Sequence, residues 1–381
     1  RVDEALSYLN ARAQRHGKKQ SAPWITLSRA YEEINDDGTA REVALKALEL
    51  FPNDGDLLVH MAMSSFAWGH GAQAEQYLET AKEHLSEEEW NSASASLARN
   101  RGERQKALRY YKRALEINPS HYGKQRIYCD LLEGGYGQSH VLDYLEKLMP
   151  AHQNSTPILE LYAGKLSDFS HDDSQDALRQ LLEKEPNNLW GMRELALQYE
   201  NSGEVEKAID LAEMSVEKQP NACQSYGVLG GIYARNNRLN DAIEQFKKAI
   251  LLEADYTYAV KEWLSYLEDD VDKLEVLSFY KQQLDVQPVD GGSINEYREL
   301  AYRYIEPDEL LAQMQAFRKK RNNEWAAWTA EKDQLLDMSR EEDAAKLMTA
   351  AEEKFPFIPR IYVEKASVFL TSHKCNICDY F

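Results

Sequence analysis

The sequence predicts an all-α fold, a solenoid of antiparallel helix pairs, and three observations carry that prediction. Prolines that close apolar helical segments recur on one spacing: Pro186 to Pro220 is 34 residues, and Pro220 to Pro288 and Pro288 to Pro356 are each 68, twice that interval. Between them lie paired apolar stripes at helical spacing: Tyr226, Leu229, Gly230 and Tyr233 fall at i, i+3, i+4 and i+7. Small residues, Gly230 and Ala249, stand where two helices must approach closely.

The segment YGVLGGIYARNNRLNDAIEQFKKA, residues 226–249, shows the unit. Its first helix ends at Asn236-Asn237, because Asn tolerates turn conformations and competes for helix hydrogen bonds. Asn240 is placed to cap a second helix, whose stripe is Ala242, Phe246 and Ala249.

These units resemble tetratricopeptide repeats, whose pattern is W-x2-L-G-x2-Y, then A-x3-F, A and P. Residues 21–54 match through Trp24, Leu27, Tyr31, Ala40, Ala47 and Pro52, with Ser28 for the glycine and Ala44 for the phenylalanine. Residues 88–121 keep Gly102, Ala107, Tyr111, Ala114 and Pro119; residues 189–222 keep Leu195, Ala196, Tyr199, Gly203, Ala208 and Pro220. Residues 323–356 keep Trp328, Ala344, Ala351 and Pro356. Other units are degenerate. Residues 122–153 offer Gly134-Gly135-Tyr136-Gly137 as an inner turn, residues 155–188 use His171-Asp172-Asp173, and Pro307 opens the second helix of residues 291–322. The resulting organisation has three parts. Residues 1–20 are the second helix of a preceding repeat, 21–356 hold about ten repeats, and 357–381 are a terminal half-repeat helix with a cysteine-containing tail.

The resemblance implies a right-handed superhelix whose first helices line a concave groove, with a peptide or protein partner lying along it. Carried onto this sequence, the groove residues are Trp190, Arg193, Leu197, Glu200 and Asn201 in one unit, and Gln224, Gly227, Gly231, Ala234 and Arg235 in the next. Tyr258, Lys261, Ser265, Glu268 and Asp269 follow in a third. Gly227 and Gly231 are unexpected, since glycine costs about 1 kcal/mol in a helix interior. Close approach of a ligand backbone, a sterically tight superhelix or sequence drift accounts for them. Tyr256, Tyr258, Trp263, Trp325 and Trp328 are candidate anchors, with core packing the stronger reading of Trp263 and Trp328. The Lys and Asn clamp by which some relatives hold a chaperone's terminal carboxylate has no counterpart here, so that activity is not carried over.

Composition narrows the partner. A net charge of −19 disfavours nucleic acid, which wants clustered Lys and Arg, and no apolar run is long enough to span a membrane. Four cysteines in 381 residues make no disulfide framework and point to a reducing, cytoplasmic setting. The chain starts at Arg1, which leaves room for a missing targeting segment. Gly17-Lys18-Lys19 lacks a phosphate-loop frame, no H-E-x-x-H occurs, and Glu87-Glu88-Glu89 suits a helix start. The tail His373, Cys375 and Cys378 offers three zinc-ligand types where a closed site needs four, so zinc is expected only if other residues complete the site.

The functional expectation is therefore a non-enzymatic protein-interaction scaffold without a cofactor. Its alternative is the repeat region of a larger enzyme, with catalysis elsewhere. Ile358, Ile361, Tyr362, Val368, Phe369 and Leu370 make the last helix apolar enough to need a cover, and a homo-oligomer through it is one expectation.

Overall fold

The computed structural model describes residues 2–34, 36–152, 155–167, 169–289, 292–355 and 360–368, and every regular element among them is helical. The chain forms two compact units, Arg1–Phe169 and Ser170–Phe381. The first contains α1 Val2–His16, α2 Ala22–Glu33, α3 Asp37–Leu50, α4 Gly55–Ala67, α5 Gly71–Ala81, α6 Glu87–Asn100, α7 Arg104–Ile117, α8 Tyr122–Tyr136, α9 Gln138–Leu148 and α10 Thr156–Leu166. The second contains α11 His171–Lys184, α12 Leu189–Asn201, α13 Val205–Lys218, α14 Cys223–Arg235, α15 Leu239–Leu252, α16 Thr257–Ser265 and α17 Asp270–Val286. It continues with α18 Gly292–Ala301, α19 Pro307–Lys320, α20 Trp325–Asp337, α21 Glu341–Lys354 and a helix over residues 360–368.

Within each unit the helices pack as a solenoid of hairpins. Each first helix pairs with the second helix that follows it, as in α2 with α3, α6 with α7 and α14 with α15. Successive first helices also touch directly, α12 with α14, α14 with α16, and α16 with α18. Their outward residues therefore share one face.

Local chemistry sets the boundaries. Asp36, Asp54, Ser170 and Asn188 each accept a backbone N–H two to three positions into the helix they open. Ser86 and Glu89 cap α6 reciprocally. The turn inside a hairpin needs one residue in the left-handed region, and it recurs on the repeat spacing: Gly69, Gly102, Gly203, Asn237 (φ 61°) and Ser339 (φ 55°).

Phe246 and Ala249 are fully buried, and a Cβ on Gly230 would lie 2.7 Å from the Phe246 ring, so the glycine is required by the hairpin itself. Trp263 and Trp328 are each 5% exposed and belong to the core. Pro307 opens α19 as expected.

Four boundary expectations are corrected. Asn240 does not cap α15; Asn237 takes the left-handed turn, Arg238 is the cap position, and Asn240 lies inside the helix. Gly134 and Gly135 belong to α8, and only Gly137, at φ 87°, makes the turn. His171-Asp172-Asp173 is the first turn of α11 rather than a loop, with its acids at the positive end of the helix dipole. Glu268 and Asp269 fall beyond α16, which ends at Ser265; Asp269 caps α17 by accepting from Val271 N at 2.7 Å.

In the helix over residues 360–368, Ile361 and Val368 are buried in the cluster around Trp328 and Met348, while Tyr362 and Val363 are exposed. Ile358, Phe369 and Leu370 lie outside the described residues.

Candidate functional site

In the unit Ser170–Phe381 the shared face of the first helices carries a ladder of ion pairs that join α12 to α14, α16 to α18, α18 to α20 and α20 to the helix over residues 360–368. Glu200 on α12 receives Arg235 of α14 at 2.9 Å through Nε and 2.7 Å through Nη2, with Asn236 Nδ2 at 3.2 Å. The bidentate bond to Glu200 raises the Arg235 pKa further, and Tyr258 bonds the same guanidinium. Lys261 of α16 pairs with Glu296 of α18 at 2.9 Å, and Arg298 of α18 pairs with Asp337 at the end of α20. Lys332 of α20 reaches Asp333 and Glu364, both at 2.6 Å. Burial alone would lower the Lys332 pKa; the bonds to those two carboxylates outweigh it and hold the amine charged.

Arg193 differs from these cations. It is half-buried on α12, its Nη1 lies 3.4 Å from Ser225 Oγ, and it makes no ion pair with a carboxylate among the described residues. Burial pushes its pKa down, with Glu194, Tyr256 and Cys223 acting weakly the other way. A cation in this state gains from an anion that arrives later.

The remaining sequence-derived residues divide. Trp190, Leu197, Glu200 and Tyr258 are half-buried, while Asn201, Arg235 and Lys261 are exposed. Gly227 and Gly231 are buried, and the chain itself uses the room they leave. A Cβ on Gly227 would stand 2.5 Å from Tyr256 Cε1, and one on Gly231 would stand 2.9 Å from the Tyr258 hydroxyl. The two tyrosine rings lie with centroids 5.7 Å apart, so an aromatic pair from the following repeat roofs α14. Burial raises the pKa of Tyr256.

Sequence reasoning did not find Ser225, Glu296, Arg298, Asp337, Lys332 or Glu364. The available signal was opposite charge about one repeat apart, which periodicity of apolar residues does not expose.

The two buried thiols among the described residues are held protonated. Burial pushes the Cys223 thiol up to about 12, and Sγ donates to Glu253 Oε2 at 2.9 Å. Cys129, buried in the other unit, is pushed up to about 12 in the same way. Among the described residues no group of three or more His, Cys, Asp or Glu could hold a metal ion, and no helix is long and apolar enough to cross a membrane. The zinc candidates His373, Cys375 and Cys378 lie outside the described residues.

Family models for the tetratricopeptide repeat match residues 92–121 and 224–256. Those two segments are tetratricopeptide repeats, and the hairpin geometry above is of the same kind. A curated relative, the antiviral innate immune response effector IFIT1 of Macaca fascicularis, is 23% identical over 269 residues, covering 57% of this chain. The matched region spans 56% of that relative's length. Among solved structures, yeast Tom70 aligns with 96% of this chain and 92% of its own at 14% identity and a TM-score of 0.41. A tetratricopeptide repeat protein from Parabacteroides merdae covers 65% of this chain and 99% of its own at 18% identity and a TM-score of 0.43.

Proposed function

We propose that this protein is a non-enzymatic scaffold whose first-helix face, over α12, α14 and α16, binds an extended segment of a partner protein and seats an acidic group of that segment on Arg193. The observation that carries the reading is the contrast within the ladder. Arg235, Lys261, Arg298 and Lys332 each hold a carboxylate of this chain, whereas Arg193 is half-buried with only a long contact to a serine hydroxyl. Trp190 one helical turn away and the Tyr256–Tyr258 pair supply apolar surface beside it. The overall charge of −19 makes the local cation selective, since an acidic segment is repelled elsewhere and held at one place.

Selection of a displayed random-peptide library against the wild type and Arg193→Glu tests this. Wild type is expected to enrich peptides with Asp or Glu at one fixed position, and Arg193→Glu to lose that preference. Identical sequence preferences in the two selections would overturn the assignment of Arg193.

A further inference from the structure

In the unit Arg1–Phe169, α7 and its neighbours combine a basic helix surface with an aromatic-lined hollow. α7 reads RQKALRYYKRALEI, rich in Arg and Lys with a single acid, in a chain of net charge −19. Lys106, Arg109, Lys112 and Arg113 stand with Tyr110 and Glu116, all on α7, around an open surface hollow of about 530 Å³. Lys106 pairs with Glu103 at 2.7 Å; Arg109, Lys112 and Arg113 make no ion pair or side-chain hydrogen bond among the described residues.

Lys106 and Tyr110 also border a second hollow, of about 290 Å³, between α5, α6 and α7. Its wall is Trp90 standing edge-on to Tyr110, ring centroids 5.7 Å apart, with Leu78 and Leu97 beside them. The indole is held in place by donating to the Leu78 carbonyl at 3.2 Å. Ser94 lines the same hollow, is 4% exposed, and its Oγ has no hydrogen-bond partner. A buried hydroxyl left without a partner is unfavourable, and a polar atom placed within hydrogen-bond reach would relieve that cost. The carboxylates at the rim are already neutralised: Glu75 pairs with Arg101, Glu103 with Arg101 and Lys106, and Glu79 with Lys82. The unbalanced charge is the row of cations on α7.

We propose that this face of α7 binds an acidic peptide segment of a partner protein. Its tyrosine side chain enters the hollow alongside the Trp90–Tyr110 pair toward Ser94 Oγ, and its flanking carboxylates lie on Arg109 and Arg113. The hollow suits one aromatic side chain with a polar tip, and the cationic surface of α7 beside it suits an anionic chain. In so acidic a protein, such a segment is attracted here and repelled by most other surfaces.

The probe is a fluorescein-labelled Glu-Glu-Tyr-Glu-Glu peptide, titrated by fluorescence anisotropy into the full chain at about 50 mM salt, where screening is modest. Saturable binding is expected, weakened about tenfold or more by the exposed double change Arg109→Glu with Arg113→Glu. Replacing the peptide tyrosine by alanine is expected to weaken it about tenfold, and Ser94→Ala to weaken the tyrosine peptide but not a phenylalanine analogue. Arg193→Glu is expected to leave it unchanged, which separates this site from the first-helix face of the other unit. No saturation up to about 1 mM, equal affinity in the charge-reversed variant, or tighter binding of an oligonucleotide of equal charge would each overturn the proposal.

Discussion

His60 on α4 shows how a single buried polar residue sets acid sensitivity. It is 4% exposed, its Nε2 lies 2.9 Å from Ser28 Oγ, and Glu32 Oε1 is 4.0 Å away. Burial, reinforced by Arg29, lowers its pKa to about 4 from 6.5. The folded state therefore refuses a proton that the unfolded chain accepts between those values, so stability falls as pH drops from about 6.5 toward 4. Glu32, whose pKa burial raises, works in the opposite sense and recovers part of the loss at the acid end. Urea unfolding at neutral pH and near pH 4.5 is expected to show a loss about 2 kcal/mol larger for wild type than for His60→Gln. Equal losses would mean that His60 titrates normally. At this scale the sequence was partly legible: Ser28 stood out as the residue replacing the repeat glycine, but its partner His60 lies 32 residues on and carries no local signal.

Between elements, the same distance hid the cause of the two glycines in α14. Gly227 and Gly231 were visible as exceptions in a helix, and the tyrosines that fill the space above them come from residues 256 and 258, at the start of the next repeat. Gly227→Ala is expected to destabilise the chain by about 1–3 kcal/mol, because its Cβ would collide with Tyr256. In a Tyr256→Ala background the same change should be neutral or stabilising, since alanine is the better helix former by about 1 kcal/mol. Strictly additive urea-unfolding free energies for the two changes would contradict the packing assigned to Tyr256. Turn positions were misread where glycine or asparagine occurred in runs. Gly134 and Gly135 remain helical while Arg104 Nη1 donates to the Gly134 carbonyl at 2.6 Å, and composition alone does not say which glycine of three turns the chain. The short α16 was misread because Asp269 starts the next helix early.

For the molecule as a whole, the 34-residue rhythm was legible because every hairpin buries the same small set of large and small residues against its neighbours. The division at Phe169 and Ser170 was not, since no proline, glycine or charge run marks it. Nor was the ladder of ion pairs, which depends on charges one repeat apart rather than on apolar periodicity. Which cation stays unpaired can be read only once those pairs are in place, and Arg193 emerges in that way.

The central claim, that partner recognition runs along the first helices around Arg193, is tested most directly by hydrogen exchange. The chain would be compared free and saturated with an acidic peptide selected against it. Slowed exchange in α12, α14 and α16, absent in Arg193→Glu, is the predicted result. Protection confined to the second helices α13 and α15, with α12 and α14 unchanged, would contradict it.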